Sequence, residues 1–294
     1  MLFMVVFERK PPHLSFSFNF FSYFCTMKSY HFFHSLSCGA VLFVASLMLL
    51  SCTTHRPILT SVQRSRIVVD ARFDRTPDAR ALAFLAPYKH QVDSVMSPVM
   101  GTVAHDMEVR RPESDLSNLL SDILVWAAKD YGEQPDLGVY NIGGIRAALT
   151  RGQVTYGDVL AVAPFENKIA FITLTGTQLL ELFAQIAHRG GEGVSHGVQL
   201  VISASGQLLS ARLHGKAIDP QAHYRVTTID YLLGGNDGLT ALSQGTQVVS
   251  PQEERNNSRF IIMDYFRSLH RQGKSVDAQV EGRIVLVSDS VGHP

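Results

Sequence analysis

The chain has little cysteine, no excess of charge and no long uninterrupted apolar run. Cysteine occurs only at Cys25, Cys38 and Cys52, so everything after Cys52 is free of disulfides, Cys-based metal sites and thiol nucleophiles. Lys and Arg number 26 against 26 Asp and Glu. With no basic surplus, nothing points to binding along a nucleic-acid backbone. The longest apolar stretch, Leu36 to Leu50, is short for a bilayer span of roughly 20 residues. No phosphate-binding P-loop occurs, so one common route to phosphate chemistry is missing. Internal repeats, heptad runs and low-complexity segments are also lacking after residue 51.

What the first fifty residues do have is the layout of an export signal. Met1 to Thr26 is rich in phenylalanine and poor in charge, and Met27 is the expected start, which leaves residues 1–26 untranslated. Met27-Lys28 then forms a short basic lead and Leu36 to Leu50 the apolar region, ending Leu49-Leu50-Ser51-Cys52. Small or apolar residues before a cysteine resemble a bacterial lipobox, which makes Cys52 the expected lipidated mature N-terminus. An ordinary signal peptide cut nearby is the competing reading. One acyl chain binds a membrane only marginally, so anchoring implies several chains on Cys52. The expected division is residues 1–51 as signal segment, 52–75 as lipidated tether and linker, and 76–294 as the domain. Residues 52–294 number 243, enough for a sizeable core. The removed part carries Arg9, Lys10 and Lys28 against Glu8, so the remainder has a formal charge of −2.

The informative stretch is Val139-Tyr140-Asn141-Ile142-Gly143-Gly144-Ile145-Arg146. The apolar run Leu137 to Tyr140 reads as a strand ending in a glycine turn. Glycines let a ligand approach the main chain, Asn141 offers both a donor and an acceptor, and Arg146 offers a planar fork of donors. A strand-to-loop turn with a solvated arginine is the plainer reading. Two further stretches bear on it. Ala163-Pro164-Phe165-Glu166-Asn167 precedes an apolar strand over Lys168 to Leu174. Asp230-Tyr231-Leu232-Leu233-Gly234-Gly235-Asn236-Asp237-Gly238 follows the strand-like Tyr224 to Ile229. Each places one ring beside a turn, and two rings can hold a flat heterocycle, each stacking contact contributing roughly 1–3 kcal/mol.

These three stretches, in this order, resemble the C-terminal domain of the 5′-nucleotidase and UDP-sugar hydrolase family. The pattern is Asn-x-Gly-Gly-Ile-Arg, then Pro-Phe, then an aromatic before a Gly/Asn/Asp-Gly turn, over roughly Tyr88 to Val287. The resemblance implies an α+β fold, with sheets and helices layered in one domain. It also implies a base clamp of Phe165 and Tyr231, with tyrosine replacing the more usual phenylalanine at the second position. Asn141 matches the asparagine near the base, Arg146 the arginine on the sugar or phosphate side, and Asp237 the ribose-binding aspartate. Asn167 and Gly144 are expected to line the site. Where the family often has another arginine near the end of the preceding helix, Lys129 stands here and lacks the fork. In the family, hydrolysis belongs to an N-terminal metallophosphatase domain whose two metals clamp phosphate and activate water. The Asp-x-His and Gly-Asn-His stretches of that domain do not occur in this sequence, and the histidines are scattered. No cofactor is therefore expected here, the two divalent metals being expected on a separate metallophosphatase chain. Three roles follow: the nucleotide-binding half of a split 5′-nucleotidase, favoured because all three stretches are intact; a non-catalytic nucleotide- or nucleoside-binding surface lipoprotein; or a relic that keeps the fold alone.

Periodicity supplies the remaining expectations. Arg66 to Asp70 reads as a strand, and Asp78 to Met100 as a helix interrupted by Pro87. Pro112-Glu113-Ser114-Asp115 opens a helix with Leu116, Leu119, Leu120, Ile123, Leu124 and Ala127 on one face. Thr177 is expected to cap a helix with the stripe Leu179, Leu182, Phe183, Ile186 and Ala187. Gly197 to Leu213 reads as a hairpin, Asn257-Ser258 as the start of a last helix, and Ile284 to Val287 as a closing strand.

Overall fold

The structure, a computed structural model, describes residues 65–73, 75 and 77–288. The signal segment and Cys52 lie outside them. The chain divides into two units, residues 1–70 and 71–294. Of the first, residues 65–70 are described; they are exposed and form no strand. The strand expected over Arg66 to Asp70 does not form, because no neighbouring strand takes up its backbone groups.

The second unit begins with helix α1 (Ala79–Met96), capped by Asp78, which accepts from the amides of Arg80 and Ala81. Pro87 sits within this helix, and none of its residues is buried. Strand β1 (Val99–Val103) pairs antiparallel with β3 (Gly152–Thr155). Helix α2 (Asp115–Ala127) starts at Ser114 in a capping box with Ser117 and buries its leucine and isoleucine stripe. Strands β2 (Leu137–Tyr140), β4 (Ile169–Thr175), β5 (Gly193–Val194), β9 (His223–Ile229) and β10 (Thr246–Val249) form the central sheet, in the order β10-β4-β9-β2-β5. It is mixed: β2 runs parallel to β9, whereas β4 and β9 are antiparallel. The hairpin β6 (Val198–Ser203) and β7 (Leu208–Leu213), with β8 (Lys216–Ala217) and β11 (Ile284–Val287), makes a second sheet in which β11 is parallel to β6. The short helix α3 (Tyr156–Val162) follows β3.

Helices α4 (Gly176–His188) and α6 (Ser258–Arg271) complete the layers, with the one-turn α5 (Asp230–Leu233) between them in sequence. The cap of α4 is Thr175 rather than Thr177: Thr175 and Gln178 form the capping box, two residues earlier than the sequence suggests. Interleaved helices and mixed sheets make the fold α+β. Phe171, Phe183 and Phe266 are the largest wholly buried side chains. Helix α2 lies so close to β2 that a Cβ on Gly138 would come within 2.7 Å of the Ser121 carbonyl, so glycine is required there. Trp126 packs edge-on against Tyr265, with ring centroids 5.1 Å apart. Among the described residues no helix is long and apolar enough to cross a membrane.

Candidate functional site

Strand pairing brings the three turns together. Leu137 and Gly138 pair in parallel with Val226 and Thr227, so β2 and β9 end on the same edge of the sheet. Ile169, the first residue of β4, pairs with Ile229, the last of β9, so the turn before β4 reaches that edge too. Asp230 ties two of the turns, its Oδ1 accepting from the amides of Lys168 at 3.0 Å and Tyr231 at 2.8 Å. The result is a cleft of about 200 Å³ lined by Asn141, Gly143, Gly144, Phe165, Asn167, Tyr231 and Asp237. Six of the seven residues singled out from the sequence line it.

The seventh, Arg146, stands at the rim. Its guanidinium carbon lies 6.0 Å from the Phe165 ring centroid and Nη1 donates to the Gly143 carbonyl at 3.3 Å. Phe165 is 47% and Tyr231 40% exposed, so neither ring belongs to the core, where most large aromatic surface is placed. Lys129 is not at the cleft; its ammonium lies 4.8 Å from the Trp126 ring centroid.

The polar floor is a connected set. Asn141, 4% exposed, donates from Nδ2 to Oδ2 of Asp237 at 2.7 Å. The Tyr231 hydroxyl donates to Oδ1 of Asp237 at 3.3 Å. Asp237 adopts φ 57°, a left-handed conformation in which aspartate is tolerated. Asn141 Oδ1 has no hydrogen-bond partner and faces Gly144, where a Cβ would come within 2.6 Å of it. A side chain at 144 would displace the Asn141 amide from its present position. Partial desolvation of the phenol and the neighbouring Asp237 carboxylate push the Tyr231 hydroxyl above its ordinary pKa, so it stays a donor at neutral pH.

Glu192 is a buried charge beside the Asn141 turn that sequence reasoning misses, because it reads as part of a Gly-rich loop. It is 1% exposed. Its Oε2 accepts from the Ile142 amide at 2.6 Å, and its Oε1 from Arg111 at 2.8 Å and Arg189 at 2.6 Å. No local pattern announces this; the only hint is a charge among glycines. Among the described residues, no group of three or more His, Cys, Asp or Glu is placed to hold a metal.

The fold is thus a layered α+β domain whose strand ends support an aromatic-rimmed polar cleft. Residues 99–244 match the family model of the 5′-nucleotidase C-terminal domain, and the chain carries a domain of that family. It is 28% identical to a 5′-nucleotidase precursor from Thermus thermophilus, with a TM-score of 0.61, over 71% of this chain and 43% of that one. It is also 25% identical to the cell wall protein Lmo0130 of Listeria monocytogenes over 73% of this chain and 30% of that protein. The protein UshA of Yersinia enterocolitica is 26% identical over 71% of this chain and 38% of its own length. The chain thus spans well under half the length of these relatives.

Proposed function

We propose that the cleft binds the nucleoside part of a 5′-nucleotide and that the domain presents the phosphate to a metallophosphatase on a separate chain. The observation that carries the reading is the convergence, on one 200 Å³ cleft, of two half-exposed rings with Asn141 and Asp237. A purine or pyrimidine between Phe165 and Tyr231 covers two apolar faces that the free protein leaves in water. Asp237 takes the ribose hydroxyls through its carboxylate and Asn141 takes polar groups of the base or sugar. Arg146, exposed beside Phe165, takes the phosphate side. The two divalent metals and the attacking water belong to the partner. They supply phosphate-ester hydrolysis, and the residues here supply binding and orientation, which alone can lower a barrier substantially.

Two features support placing this activity outside the cell membrane's inner face. The Leu36 to Cys52 stretch has the form of a lipoprotein signal, and one relative is described as a cell wall protein. The proposal therefore includes export and a lipid anchor on Cys52.

The test is phosphate release from AMP. The purified chain with Mg²⁺, Mn²⁺ or Zn²⁺ should release none, and release should appear when a metallophosphatase chain that co-purifies with it is added. Turnover at an ordinary enzymatic rate by this chain alone would overturn the division of labour. Failure of AMP and adenosine to bind would overturn the site.

A further inference from the structure

We propose that Glu192 is the positioning residue of the nucleotide cleft, acting through the Asn141 turn rather than by touching ligand. The inference rests on the reading of the cleft given above. A carboxylate buried to 1% exposure is costly unless its charge is matched and its lone pairs are used. Here both conditions hold, and the partners come from three separate parts of the chain. Arg111 precedes α2, Arg189 ends α4, and Ile142 lies in the turn after β2.

The Ile142 amide is the functional link. It belongs to the residue next to Asn141, whose carbonyl accepts from the Gly144 amide at 3.0 Å. Asn141 Nδ2 in turn holds Asp237, and Asp237 holds the Tyr231 hydroxyl. A continuous chain of hydrogen bonds and one peptide unit therefore runs from the buried carboxylate to the rim of the cleft. A turn rich in glycine has many backbone conformations available, and one charged acceptor fixed by two guanidinium groups restricts it to the conformation that aims Asn141 at Asp237.

Glutamate suits this role better than glutamine. Three donors converge on two acceptor oxygens, and an amide has only one oxygen and adds a donor. Arg189 gains a second consequence from the same contact: with its Nε held by Glu192, it lines a neighbouring cleft of about 370 Å³ that shares Asp237 with the nucleotide cleft. Its charge reaches Tyr231, where it opposes the upward push on the hydroxyl.

The experiment is calorimetric titration of the full chain with AMP and with adenosine, for wild type, Glu192→Gln, Asn141→Ala and the double variant, alongside their melting curves. Glu192→Gln should weaken both ligands about tenfold, and the double variant should be hardly weaker than Asn141→Ala alone, since both changes act on one turn. Arg225→Leu, which breaks the ion pair with Glu133 near the start of β9, at the other end of that strand from Tyr231, should lower the melting temperature and leave affinity unchanged; this separates positioning from general destabilisation. Where Glu192→Gln does not fold, Arg111→Gln removes one partner only and should weaken binding in the same direction, by less. Wild-type binding with unchanged affinity in the Glu192 or Arg111 variant, or losses that simply add with Asn141→Ala, would overturn the positioning role. A wild type that binds neither ligand would overturn the reading of the cleft on which the role rests.

Discussion

Truncating Phe165 to alanine should weaken nucleoside binding with little loss of stability. The ring is 47% exposed and the Arg146 guanidinium carbon lies 6.0 Å from its centroid, so its removal opens no core cavity. Surface truncations of this sort usually change stability by about 0.5 kcal/mol or less. In the complex the same ring covers one face of the base. Base–aromatic stacking is worth roughly 1–3 kcal/mol on alanine substitution, which is a loss of about 5- to 150-fold in affinity at about 1.4 kcal/mol per decade. Adenosine titrated into the chain, followed by quenching of tyrosine and tryptophan fluorescence and by calorimetry, measures it. Phe165→Tyr should retain nearly all the affinity because it keeps the ring. Equal affinity for wild type and Phe165→Ala would refute the stacking role, and a large fall in melting temperature would show that the ring is structural.

Other outcomes follow from the same geometry. Asp237→Asn should weaken adenosine by about 1.5–3 kcal/mol, the usual value of hydrogen bonds to a charged group, and should affect free adenine less; equal losses for both would remove the ribose role. Tyr231 titrates above its ordinary value because desolvation and Asp237 favour the neutral phenol. A raised folded value means that its contribution to folding stability is complete below pH about 10, the ordinary phenol range, and is lost as pH rises further; wild-type stability should therefore show an alkaline fall that Tyr231→Phe lacks. Arg283, 4% exposed, donates twice to Asp122 at 2.9 and 2.7 Å, to Glu281 at 3.0 Å and to the Val194 carbonyl at 2.7 Å. Arg283→Leu should cost about 1–3 kcal/mol, chiefly by leaving the buried Val194 carbonyl without its donor, read as a lower denaturation midpoint.

Much of this fold is visible in local pattern. Strands β2 and β4 are buried and read as apolar runs, β9 reads as a strand from its β-branched stretch Val226 to Ile229, and each adjoins a turn with a glycine pair or a proline. That is why the cleft residues stand out before any pairing is known. Their convergence is another matter, because it depends on β2 lying parallel to β9 and β4 antiparallel to it, which no local pattern states. Glu192 is invisible for the same reason: Arg111 lies 81 residues away, and a glutamate between glycines reads as solvated. The Arg283–Asp122 pair spans 161 residues. The Arg66 to Asp70 expectation failed because β-branched residues only permit a strand, whereas a partner makes one. Choosing Thr177 as the α4 cap failed because two threonines flank the start, and the one with Gln178 three residues later, Thr175, closes the box.

The central claim is that a nucleoside base lies between Phe165 and Tyr231. Nuclear Overhauser measurements on the chain with adenosine, its phenylalanine and tyrosine rings selectively labelled, test it most directly. The account predicts contacts from the adenine ring protons to both rings, each disappearing in the matching Phe165→Leu or Tyr231→Leu variant. Bound adenosine with contacts to neither ring would contradict it.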